Sequence, residues 1–302
     1  MIGDPYVSWS PLPARPPLIW PNRARIAVCV IVSLEQLEWH PREPALVPPS
    51  ARYGGPYPAV FDPLPPTMRE YGNRVGIFRV MEVLDRHGIT ATVAMDSVLA
   101  EQNQYLVAQC LKRNWEFIGH GLTASQMVSA KMGDDEEREY LESALSRLTA
   151  ATGQSPQGWL GVDYAESHRT VRLLAELGVR YVCDWPNDEQ PYPMSVPKGD
   201  MTALPVAIGL DEVFSHRFRG LPIARWGQLV RDTFDGLRRG ESTTGRVLVL
   251  SLHPYLIGQP FRIGQLDAAL QHIVGHDGVW SATGGEIVDW YRRQTSPGQQ
   301  VT

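Results

Sequence analysis

Ionisable side chains recur in this sequence where apolar runs end. Glu35 and Glu38 follow the run 26–34, Asp96 follows 90–95, His120 follows 116–119 and Asp163 follows 157–160. Asp184 and Asp188 come after 179–183, Asp211 and Glu212 after 203–208, and His253 closes 247–252. Carboxylates and imidazoles move protons near neutral pH, so this set is equipped for general acid–base catalysis. His120 lies between Gly119 and Gly121, and glycine often marks close backbone approach to a ligand. His253 ends the most apolar run of the chain and precedes Pro254. For Asp96, Asp163, Asp211 and Glu212 the simpler reading is the N-cap of a following helix. The other histidines fall in predicted loops or helices and are assigned surface roles.

Residues so far apart in sequence meet only if the fold gathers them. The runs at 26–34, 90–95, 116–119, 157–160, 179–183, 203–208 and 247–252 read as buried strands. Between them, helical spacing is predicted over 75–86, ending at His87-Gly88, and from the acidic turn at Asp134 and Asp135 to Gly153. Two further helices are expected over 170–177 and 226–239, each followed by glycine. Strands alternating with helices predict an α/β fold, a distorted (β/α) barrel with seven or eight parallel strands, whose strand ends share one rim. Residues 1–302 are expected to form a single domain, with an N-terminal extension over 1–24. The Pro-rich stretch 41–71 is expected to be a lid over the rim rather than a linker, because forty preceding residues are too few for an independent core.

Bulk properties narrow the function. The chain has 43% hydrophobic and 20% charged residues and a formal charge of −5, with no long basic run. Nucleic acid and anionic membrane surfaces are therefore excluded as main partners, and a small-molecule substrate is favoured. The opening twenty residues lack the apolar stretch of a signal peptide, so a cytoplasmic protein is expected. Cys29, Cys110 and Cys183 show no metal-site spacing and read as reduced core residues. A homo-oligomer, dimer or tetramer, is expected from the general frequency of symmetric assemblies.

At these residues the sequence resembles the polysaccharide deacetylase (NodB homology) superfamily, and within it a branch similar to metal-independent allantoinases and cyclic imide hydrolases. In the superfamily's first motif two adjacent acids follow strand one, a base and a metal ligand; here those positions hold Glu35 and Gln36. The second motif has two metal-binding histidines four apart, where this chain has His120 and Ala124. The blocks Tyr71-Gly72-Asn73-Arg74-Val75-Gly76, Gly158-Trp159-Leu160-Gly161, Asp184-Trp185-Pro186-Asn187-Asp188-Glu189-Gln190-Pro191-Tyr192 and Leu252-His253-Pro254-Tyr255 extend the likeness. Gly161 lacks the proline expected after it.

The resemblance implies a hydrolase of non-peptide C–N bonds that opens a cyclic amide, imide or ureide without a metal or other cofactor. Glu35 is the candidate base, with a pKa expected to rise on burial, His253 the candidate acid, and His120 orients water or carbonyl. Trp39, Trp159, Trp185, Tyr192 and Tyr255 are candidates for holding a planar ring, and Arg74, Asn187 and Gln190 for reading its polar edge. Asp184 and Asp188 complete the expected substrate-binding set. The alternatives are N-deacetylation of an acetylated sugar and a non-catalytic ligand-binding barrel.

Overall fold

A run of nine apolar and small residues from Ile26 to Leu34 offers no polar face to water, and it forms a strand buried along its whole length. The computed structural model describes residues 6–40, 62–239 and 244–295. Its strands are β1 (Ile26–Leu34), β2 (Thr92–Met95), β3 (Glu116–Gly119), β4 (Gly158–Trp159), β5 (Tyr181–Val182), β6 (Tyr192–Met194), β7 (Met201–Ala203), β8 (Arg246–Leu252) and β9 (Val279–Ser281). They lie in the order β6-β7-β5-β4-β3-β2-β1-β8, with β9 paired to the start of β1. All pairings are parallel except β6 with β7. The sheet curls so that its two ends approach: the Ala207 amide donates to the Val249 carbonyl at 3.0 Å, and the Val247 amide to that of Glu189 at 2.9 Å. This is a distorted, mostly parallel (β/α) barrel. One strand differs in position from the sequence reading, because Pro205 has no amide to continue the ladder and pairing stops at Ala203.

Helices α1 (Leu64–Tyr71), α2 (Ile77–Arg86), α3 (Ser97–Gln102), α4 (Gln104–Lys112) and α5 (Asp134–Thr152) cover the first half. The remainder are α6 (Thr170–Glu176), α7 (Ile223–Arg239), α8 (Pro254–Ile257), α9 (Ile263–Val274) and α10 (Gly284–Thr295). Four acids occupy the first turn of α5, where they meet the positive end of the helix dipole, and Gly153 ends it in a left-handed conformation at φ 71°. α1 begins with Pro65 and Pro66, which suit a first turn because its amides need no partner. Residues 64–71 of the expected lid are therefore helical, while 41–61 lie outside the described residues. Among the described residues no helix is long and apolar enough to cross a membrane.

Side chains alternate across each strand, and this gives β1 a separate apolar cluster on each face. Val28, Val30 and Val32 of β1 pack outward with α2, α7 and α9, joined by Leu248, Leu250 and Leu252 of β8. Ala27, Cys29 and Ile31 point the other way, into an inner cluster with Ala94, Ile118 and Val249. All three cysteines are free and buried.

The Tyr71-to-Gly76 block has a packing role. A π-helical turn, Gly72–Gly76, joins α1 to α2 and presses against α8. A Cβ on Gly72 would stand 2.7 Å from the Tyr255 amide nitrogen, and one on Gly76 would stand 2.2 Å from the Pro254 carbonyl oxygen. Gly76→Ala is expected to lower stability by about 1–3 kcal/mol, the usual cost of overpacking, as read from the denaturation midpoint in urea.

Candidate active site

The alternation that fills the inner cluster also builds the site. Continuing inward from Ala27, Cys29 and Ile31, β1 presents Ser33 and then Glu35 at its C-terminal end; β8 does the same with Ser251 and His253, and β3 with His120. Glu35 is only 3% exposed. Its Oε2 accepts a hydrogen bond from Arg69 Nε at 2.6 Å, in an ion pair buried on both sides. The Arg69 guanidinium lies 3.8 Å above the Tyr255 ring, so α1 and α8 together seat it. Burial alone drives the Glu35 carboxyl up, but Arg69 and the two neighbouring imidazoles outweigh it and hold the group well below the usual carboxylate range. The upward shift expected from sequence is thus corrected: burial brought a cation with it.

Both imidazoles face the same carboxylate oxygen. His120 Nε2 is 3.5 Å from Glu35 Oε1, and His253 Nε2 is 3.8 Å from it. His120 Nδ1 donates to the Leu160 carbonyl at 2.5 Å, which fixes its proton there and leaves Nε2 buried without a hydrogen-bond partner among the described residues. Its flanking glycines serve packing: a Cβ on Gly119 would meet the Trp159 ring at 2.5 Å, and Gly121, at φ +91°, leaves room for the Tyr140 hydroxyl. His253 Nδ1 is 3.4 Å from Glu212 Oε2 and 4.0 Å from Asp211 Oδ2, and its backbone amide donates to Glu212 Oε1. Burial disfavours the charged ring, but Asp211, Glu212 and Glu35 prevail and raise its pKa to about 9. His253 is therefore protonated at neutral pH.

Asp211 and Glu212 are thus charge partners of His253 rather than simple caps, although Asp211 does also accept from the Phe214 amide at 3.0 Å. Asp96 makes no side-chain cap either. Its Oδ2 accepts from the amides of Gln36 at 2.6 Å and Ala124 at 3.1 Å, and the Ala124 amide also donates to the Gln36 carbonyl. Asp163 and Tyr164 hold positive φ of 51° and 59°, a conformation costly for such residues and common at functional sites.

A cavity of about 340 Å³ opens beside the imidazoles, with Ser33, His120, Asp211, Ser251 and His253 among the residues around it. Of the sequence-predicted residues, Glu35, His120 and His253 come together, Asp184 lines the cavity, and Tyr255 lies edge-on to His253 with centroids 5.8 Å apart. Asp184 accepts from the Gly161 amide at 2.8 Å; burial and the adjoining Glu166 raise its pKa well above the usual carboxylate range. The others lie away from this cavity. Arg74 is 77% exposed and pairs with Glu70, and Trp159 is core packing against Gly119. The Trp185 ring donates to Glu166, Asp188 pairs with Arg15, Gln190 donates to the Gly245 carbonyl, and Tyr192 donates to the Trp185 carbonyl. These residues fasten the 184–192 segment to its surroundings and do not line the cavity. Trp39 and Asn187 do not line it either.

The polysaccharide deacetylase family profile matches residues 61–182. A protein of Schizosaccharomyces pombe described as a polysaccharide deacetylase is 23% identical over 299 residues, spanning 89% of this chain and 90% of that protein. A crystal structure from Pseudomonas aeruginosa PAO1, described as a polysaccharide deacetylase, superposes with a TM-score of 0.81 at 26% identity, over 93% of this chain and 95% of its own. Residues 61–182 thus resemble the polysaccharide deacetylase domain. The PuuE allantoinase structure shares the fold, with a TM-score of 0.83 at 23% identity over 94% and 96% of the two chains.

The deacetylase superfamily's metal position can be tested against the side chains present. Of its three donor positions only His120 carries a suitable group. The Gln36 amide is turned to Gln102 Oε1 at 3.1 Å, and the Ala124 methyl is buried beside Leu37 and Val162. The residues do not fit that metal. Asp211, Glu212 and His253 also bring ligand-type atoms within 4.8 Å of one another, but Glu212 is engaged by the His253 amide and Asp211 by Tyr164 and Phe214.

Removing one carboxylate should loosen the His253 proton. In Glu212→Gln the imidazole pKa is expected to fall from about 9 toward its ordinary 6.5, measured by following the ring by NMR against pH. His253 binds its proton more tightly folded than unfolded. The stability this adds is therefore fully present below about pH 6.5 and lost as pH rises through about 9, a window that the variant narrows.

Proposed function

We propose that this domain hydrolyses a non-peptide C–N bond, opening the ring of a small cyclic amide, imide or ureide by metal-free general acid–base catalysis. The observation that carries the reading is the pairing of two imidazoles on one carboxylate oxygen, at 3.5 and 3.8 Å, with one imidazole held protonated. A water between Glu35 Oε1 and His120 Nε2 donates one hydrogen bond to each. Glu35 positions that water; its depressed pKa makes it a weak resting base, so the His120 lone pair takes the proton as oxygen attacks the carbonyl carbon. His253 Nε2–H then protonates the departing nitrogen as the C–N bond breaks, giving an amide or ureido group and a carboxylic acid, which releases its proton to solvent. The proton on His120 returns to His253 through Glu35, which faces both rings.

Without Lewis-acid help the substrate must contribute reactivity, and an imide or ureide carbonyl is more electrophilic than an acetamide while its nitrogen leaves more easily. A cavity of about 340 Å³ suits a single small ring. The second reading, N-deacetylation of an acetylated sugar, is favoured by the family match over 61–182 and uses the same bond-breaking step.

A panel of succinimide, glutarimide, hydantoin, allantoin and chitin oligomers, each assayed with and without chelator, separates the two. Ring opening that survives chelation is expected; acetate released from chitin oligomers with no ring turned over would reverse the assignment. Replacing Glu35 with Gln or His253 with Ala should each cost about 10²- to 10⁴-fold in kcat. In the parent enzyme kcat/KM should fall as pH rises through about 9, where His253 loses its proton.

A further inference from the structure

We infer that the mouth of the cavity is a separate binding subsite for an apolar substituent on the ring, so that neutral aryl- or alkyl-substituted rings form the preferred substrate class. This rests on the ring-opening reading and extends it.

The cavity is divided by chemistry. Hydroxyl, imidazole and carboxyl groups cluster at Ser33, His120, Asp211, Ser251 and His253, and the buried Ser33 hydroxyl has no hydrogen-bond partner among the described residues. The lining also includes the apolar residues Met127, Leu160, Pro186, Ile208 and Val213. Phe214 and Phe218 belong to it too, yet they are 38% and 57% exposed, with ring centroids 6.2 Å apart. Both belong to the π-helical turn Val213–Phe218, which is anchored by Val213 against Tyr255 and Leu256 and by a hydrogen bond of 2.9 Å from the Ser215 hydroxyl to the Gly209 carbonyl. Exposed aromatic rings at the edge of an enclosed polar site offer apolar area that a ligand can cover.

Charge sharpens the class. Among the described residues that line the cavity none is lysine or arginine, whereas Asp163, Asp184 and Asp211 all line it. A carboxylate-bearing substituent would meet those acids, and protonated His253, the cation among the described lining residues, already faces Asp211 and Glu212. A ureido arm, as on allantoin, would surrender water hydrogen bonds against the phenylalanines without replacement. A phenyl or short alkyl group loses nothing comparable.

The test compares succinimide with 2-phenylsuccinimide and hydantoin with 5-phenylhydantoin on the full-length protein. Parent, Phe218→Leu, Phe218→Ser and Phe214→Ser/Phe218→Ser enzymes are used, with size-exclusion chromatography of each. The phenyl compounds are expected to exceed the unsubstituted rings in kcat/KM by about 10- to 100-fold, the range that added apolar contact supplies. That ratio should collapse in the serine variants and persist in Phe218→Leu. Equal rates for phenyl and unsubstituted rings would overturn the subsite while leaving ring opening intact. So would serine variants that keep the ratio but change elution volume, which would mark the phenylalanines as a subunit contact. If no ring is opened, the catalytic reading fails, and calorimetry then decides the subsite alone: tighter binding of 2-phenylsuccinimide than of succinimide supports it, and equal binding overturns it.

Discussion

Everything at the rim depends on the two-residue repeat of β1. Ala27, Cys29 and Ile31 fill the inner cluster, and the same parity brings Ser33 and Glu35 to the C-terminal mouth. β8 is paired with β1 in register from Ile26 with Arg246 to Val32 with Leu252, and its inner series ends in Ser251 and His253. A one-residue slip would exchange the inner and outer sets of both strands at once and send the acid–base groups toward the helices. The apolar core and the chemistry are therefore set by one register, and selection for a dry interior holds the polar rim in place.

Onto that register the chain adds a buried cation. Arg69 neutralises Glu35, stacks on Tyr255, and is carried by a helix whose continuation packs through Gly72 and Gly76 on α8. A buried carboxylate with no such partner would lose its charge; with one it stays ionised and holds charge near both imidazoles. In the mechanism proposed above the roles then separate: Glu35 positions, the His120 ring accepts, and the ring backed by Asp211 and Glu212 donates. The two histidines share Glu35 through Nε2 and differ at Nδ1, which in His120 hydrogen-bonds the Leu160 carbonyl and in His253 faces Asp211 and Glu212.

Much of this was legible in the residues alone. The uninterrupted apolar runs of β1, β3 and β8 mark buried strands, and Glu35, His120 and His253 follow directly from where those runs stop. Arg69 escaped because it lies in a Pro-rich stretch that reads as loop; Pro65 and Pro66 were the available signal, since paired prolines suit a first helical turn. Asp211 and Glu212 read as caps from sequence because local spacing cannot reveal an imidazole about forty residues away. The 184–192 block divides: Asp184 and Pro186 line the cavity, while the residues after them pack elsewhere. Its residues are distinctive in type, but Asp188 and Gln190 serve as anchors to Arg15 and Gly245, contacts distant in sequence that no local pattern encodes.

The Asp96 carboxylate has a mechanical consequence. By accepting amides from Gln36 and Ala124, while Ala124 also bonds the Gln36 carbonyl, it knots the exits of three neighbouring strands into one body. Glu35 is bonded to that knot through the next peptide, and Met127 reaches the cavity three residues beyond Ala124. The cavity wall at Met127 and the Glu35 backbone are consequently joined by a short chain of hydrogen bonds and peptides. A rim tied in this way has little slack with which to adjust to an ill-shaped guest.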